Sequence, residues 1–70
     1  MSDSPVQIEN DRFLRRSAVV AQTGLSQSSI YRLIERGEFP ASRRYIGIEG
    51  SYWLQSEITN WKRSQMQVAA

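Results

Sequence analysis

The chain has 70 residues, 40% of them hydrophobic and 23% charged, with nine Lys and Arg against seven Asp and Glu. That length allows one small domain, and without a cysteine or a histidine it excludes a disulfide, a Cys/His zinc site, a thiol nucleophile and an imidazole acid or base. Its mean hydropathy of −0.50, with no apolar run near the ~20 residues that span a bilayer, predicts a cytoplasmic protein with no membrane partner.

A chain this short buries a core rarely worth more than about 3–5 kcal/mol, so a secluded catalytic pocket is hard to build and binding to something larger is easier. The carboxylates do not argue otherwise. Asp3, Glu9 and Asp11 lie in the first segment, Gly37 interrupts the helical spacing of Glu35 and Glu38, and Glu49 sits in a turn. The residues point to no enzyme, no metal and no cofactor. Charge is the more informative property. Residues 1–11 are net −3, residues 12–44 carry seven arginines against two glutamates for a net +5, and residues 45–70 are neutral. Arginine supplies eight of the nine bases, and its planar fork matches phosphate and guanine edges better than lysine does.

In chain order, residues 1–11 read as a polar, disordered tail without the basic start of a secretory signal. Arg12-Phe13-Leu14 reads as a lead-in whose two apolar side chains reach the core. A short helix follows from Ser17 to Thr23, and Gly24 stops it. Ser26 is a good N-cap for a second helix, residues 26–36, with Leu25 and Ile30 spaced as a hydrophobic staple. Ile30, Leu33 and Ile34 form its apolar stripe, while Gln27, Ser28, Tyr31 and Arg32 fall on the opposite face. Gly37 ends this helix and Phe39-Pro40 prevents it from resuming. Arg43 to Ile46, a turn at Gly47–Gly50, and Ser51 to Trp53 read as a hairpin. Leu54, Ile58 and Trp61 then predict a third helix to about Gln65, and residues 66–70 fray. Trp53, Trp61, Phe13 and Phe39 are assigned to the core, while Tyr45 and Tyr52 are ambiguous.

The helix, Thr23-Gly24-Leu25-Ser26 turn and helix form a helix-turn-helix, which leaves the second helix free to enter a major groove. Gln27 is suited to adenine, Arg32 to guanine or phosphate, Ser28 and Ser29 are short donors, and Tyr31 can lie against phosphate or a thymine methyl. Arg43 and Arg44 at the start of the hairpin read as a wing on the DNA backbone, or else as solvated arginines that keep an edge strand from aggregating. Arg12, Arg15 and Arg16 are candidate backbone contacts or a solvated lead-in.

Three runs of residues carry a resemblance. They are Arg12-Phe-Leu-Arg15, Thr23-Gly-Leu-Ser-Gln-Ser-Ser-Ile-Tyr-Arg-Leu-Ile-Glu-Arg-Gly-Glu-Phe-Pro40 and Trp53-Leu-Gln-Ser-Glu-Ile-Thr-Asn-Trp61. Together they resemble the AlpA family of small, excisionase-like phage and prophage regulators, from about Arg12 to Arg63. The resemblance implies a winged helix-turn-helix, mainly α with a small β-hairpin, related to the MerR-type DNA-binding head. It places Gln27, Ser28, Tyr31 and Arg32 on the recognition helix and Arg43-Arg44 where the wing begins. Glu49 makes the wing tip less basic than that pattern. The implied partner is double-stranded DNA, bound by a dimer or by side-by-side copies because one such module covers only about 600–1,000 Å². The implied role is transcriptional regulation of a mobile element. The alternative is a recombination directionality factor on attachment-site arms, working beside an integrase. A DNA-packaging or protein-interaction adaptor is a third reading, from a different class.

Overall fold

The computed structural model describes residues 10–66. The elements are β1 (Phe13–Leu14), α1 (Arg16–Thr23), α2 (Gln27–Glu35), β2 (Arg43–Arg44), β3 (Ser51–Leu54) and α3 (Gln55–Gln65). The three helices and the hairpin are those expected of a winged helix-turn-helix. The sheet gains a third strand, because β1 and β2 pair antiparallel on either side of a central β3. No helix among the described residues is long and apolar enough to cross a membrane.

Local chemistry sets the helix ends. Gly24 takes the left-handed conformation at φ 76° and donates its N–H to the Val20 carbonyl, closing α1. Thr23 locks the turn by donating its hydroxyl to the Val19 carbonyl and accepting from the Leu25 N–H. Ser26 caps α2, its Oγ accepting from the Ser29 N–H at 3.1 Å. At the other end, the N–H groups of Gly37 and Glu38 bond the carbonyls of Ile34 and Leu33, a Schellman closure.

The start of α3 is built from distant residues. The Gln55 N–H donates to the Arg12 carbonyl at 2.8 Å. Asp11 accepts from both the N–H and the hydroxyl of Ser56, at 3.0 and 2.6 Å. Glu57 accepts from the Leu54 N–H at 3.2 Å. Of the predicted tail, residues 1–9 lie outside the described residues, while Asp11 is fastened to α3. Of the predicted frayed end, residues 67–70 also lie outside.

Leu14, Val19, Ile30, Phe39, Trp53 and Ile58 form the buried core, flanked by Ala18, Val20, Leu25, Leu33, Ile34 and Trp61. Both indoles are satisfied at their nitrogens. Trp53 donates to the Pro40 carbonyl and Trp61 to the Glu38 carbonyl, each at 2.8 Å. The segment that leaves α2 is thereby pinned at two points.

Four expectations need correction. Phe13 is not core: it is 48% exposed and stacks on Tyr52 at 4.4 Å between ring centres. In a strand successive side chains face opposite ways, so burying Leu14 turns Phe13 outward. α1 begins at Arg16, one residue before the predicted Ser17, and α3 begins at Gln55, after Leu54. The hairpin pairing stops at Arg44, leaving a six-residue loop at 45–50 in place of the expected four-residue turn.

Candidate nucleic-acid interface

A cleft of roughly 700 Å³ opens where the start of α1, the exposed face of α2 and the foot of the hairpin meet. Arg15, Arg16, Ser17, Gln27, Tyr31, Gly50 and Ser51 line it, along with the apolar Val20 and Trp53. It has two arginines and no acid. α1 also begins there without a side-chain cap and without an acid in its first turn, so the positive end of its dipole adds to the arginines.

The fold brings together four of the residues expected from the sequence, Arg15, Arg16, Gln27 and Tyr31. The guanidinium of Arg16 donates to the Tyr31 hydroxyl at 3.2 Å, tying the start of α1 to α2. Arg15 lies over the Tyr45 ring, 4.7 Å from its centre. Ser28 and Arg32 are exposed on α2 outside the cleft lining. Ser29 is half-buried, its N–H and hydroxyl both bonded to Ser26.

The two wing arginines differ. The Arg43 guanidinium meets the Glu57 carboxylate at 2.6 Å, and this hydrogen bond, followed by the charge attraction, raises its pKa further above the ordinary range. Arg44, opposite Ser51 in the register, is exposed and has no ion pair among the described residues.

Sequence reasoning missed Ser17, Ser51 and Gly50. Gly50 has φ +122°, and a Cβ there would collide with the Arg15 guanidinium. Its lack of a side chain is what lets Arg15 cross to Tyr45. A glycine placed just before the second strand is the available signal, although its spacing from Gly47 assigns it only to the turn. The role of Tyr45 and Tyr52, left ambiguous by the sequence, is a surface cluster with Phe13, and Tyr45 and Tyr52 lie 4.6 Å apart between ring centres.

A family model described as "Prophage CP4-57 regulatory protein (AlpA)" matches residues 12–66. ORF88, an uncharacterised protein of Enterobacteria phage P4, is 46% identical over 54 residues, which is 77% of this chain and 60% of that relative. The chain thus spans less than two thirds of the length of this relative. No solved structure matches it. The family match covers every described element and all the cleft residues, and the chain belongs to the AlpA family of prophage regulatory proteins.

Proposed function

We propose that this phage-type regulator binds double-stranded DNA sequence-specifically and acts on transcription of mobile-element genes. α2 enters a major groove. Gln27 reads base edges, with Ser28, Tyr31 and Arg32 beside it, while Arg15, Arg16 and Arg44 hold the phosphate backbone. The observation that carries the reading is the acid-free cleft, which sets Arg15 and Arg16 beside Gln27 and Tyr31 of α2. A groove-reading helix flanked by fixed cations is the arrangement in which phosphate contacts set register and base contacts set sequence.

The test begins with duplexes selected from random sequence by the whole chain. Affinity for the selected duplex falls steeply as salt rises, because arginine contacts release condensed counterions. Gln27→Ala costs about 1–3 kcal/mol on the selected duplex and much less on random DNA, as a bidentate base contact does. A flat salt dependence, or an unchanged preference in the folded Gln27→Ala protein, removes the reading.

A further inference from the structure

The loop at 45–50 joins the two strands of the hairpin beside the cleft, but it has no cation, and Glu49 is its one charged residue. It cannot hold phosphate by its own charge. What it does hold is a cation from another part of the chain. The Arg15 guanidinium lies over the Tyr45 ring, 4.7 Å from its centre, within the range of a cation–π contact. It crosses Gly50, where a Cβ would collide with it. Tyr45 and Gly50 meet across the foot of the loop, the Tyr45 N–H bonding the Gly50 carbonyl at 3.5 Å. One supplies a ring and the other a gap.

The ring is itself supported. Leu14 is buried, so strand alternation turns Phe13 outward, and Arg15, extended at φ −79° and ψ 167°, faces the same way two residues on. Phe13 stacks on Tyr52 at 4.4 Å, and Tyr52 lies 4.6 Å from Tyr45 between ring centres. A row of three rings, Phe13, Tyr52 and Tyr45, thus ends at the Arg15 guanidinium. A free arginine side chain has many rotamers to lose on meeting phosphate, and a guanidinium already laid on a ring has fewer. Arg15 lines the cleft and Tyr45 does not, so the ring acts on the cleft through the cation.

We infer, on the DNA-binding function proposed above, that Tyr45 is a positioning residue for that function. It holds Arg15 at the cleft in the pose that meets a backbone phosphate. The hairpin loop therefore contributes to DNA affinity through an arginine that precedes α1, and not through a charge of its own.

Tyr45→Leu and Tyr45→Gln remove the ring, Tyr45→Phe keeps it, and circular dichroism melts verify that each variant is folded. Fluorescence anisotropy follows binding to the selected and to random duplexes. The two ring-free variants bind both about two- to fivefold more weakly, the worth of an exposed cation–π contact, while Tyr45→Phe binds as wild type does. Their salt slope stays at the wild-type value, because Arg15 is still present to meet its phosphate, whereas Arg15→Ala lowers the slope by about one. In an Arg15→Ala background, removing the ring has no further effect, which a merely structural role would not produce. Ring-free variants that bind as wild type does, or a loss that persists in the Arg15→Ala background, overturn the positioning role and leave DNA binding standing. Arg15→Ala that binds as tightly as wild type overturns both the Arg15 contact and its positioning. A readout without DNA keeps the two separate. The ring current of Tyr45 shifts the Arg15 side-chain resonances in the NMR spectrum, and the shift is lost in the ring-free variants and kept in Tyr45→Phe. Arg15 resonances that do not move when the ring is removed overturn the contact whatever the duplexes show.

Discussion

Arg43 and Arg44 are adjacent in sequence and opposite in duty. Arg43 is held by Glu57 of α3, whereas Arg44 is open to solvent. Arg44→Ala is expected to weaken selected and random duplexes alike and to lower the salt slope by about one. Arg43→Ala is expected to leave that slope unchanged and to lower the melting temperature as Glu57→Gln does, with the double variant no worse than either single one. Titrations at several salt concentrations, paired with thermal melts, separate the two. Gly50 gives a second prediction at this scale. Its φ of +122° is one that other residues rarely adopt, and an added Cβ would displace Arg15. Gly50→Ala should cost about 1–3 kcal/mol of stability. It should also weaken duplex binding, since it moves Arg15 off Tyr45, and the two effects are read by denaturant melts and fluorescence anisotropy.

Among the elements, α3 depends most on residues outside itself. Hydrogen bonding from Ser56, first through its hydroxyl and then through its N–H, lowers the Asp11 pKa below the ordinary carboxylate value. A carboxylate with a depressed folded pKa contributes stability above its unfolded pKa of about 3.9, and that contribution is lost as pH falls through the folded value. Asp11→Asn should therefore lower the melting temperature at neutral pH, and the gap to wild type should close as the solution is acidified below about pH 4. A gap that persists at low pH would mean that Asp11 acts by packing. α2 could be bounded from sequence because its signals are local, Ser26 at one end and Gly37 at the other. β1 could not, because two residues are too few to show alternation. Phe13 therefore read as core, although pairing with β3 turns it to the surface. The early end of the hairpin was equally illegible. Past Arg44 the ladder is closed only by a 3.5 Å bond from the Tyr45 N–H to the Gly50 carbonyl, and the exposed isoleucines beyond it pack on nothing that could extend the strands.

At the scale of the molecule, charge was readable from sequence but convergence was not. The +5 stretch marked the region, and the outward face of the second helix marked Gln27 and Tyr31. The packing of α1 on α2 brings Arg16 to Tyr31, and β1, paired with β3 far along the chain, sets Arg15 at the same cleft. The same long-range pairing brought Gly50 and Ser51 to the cleft, which no local pattern announces. Charge also sets a prediction for the first residues. Removing residues 1–9 takes away Asp3 and Glu9 and leaves the Asp11 cap in place. The shortened chain should keep its circular dichroism spectrum and bind duplex DNA as tightly or slightly more tightly, because two like charges no longer oppose the phosphates. A large loss of affinity would assign that segment a contact of its own.

The central strand also governs when the protein can exist as a folded object. Leu14 pairs with Trp53, about forty residues later, and the buried Trp53, Leu54 and Ile58 all lie in the last third of the chain. A chain that ends at Pro40 holds α1, α2 and four of the six core residues, Leu14, Val19, Ile30 and Phe39, but lacks Trp53 and Ile58, which complete that core. The core therefore closes only when β3 pairs with β1 and α3 follows it. A chain that stops before Trp53 is expected to lack the cooperative thermal transition of the whole one, which circular dichroism melts would check.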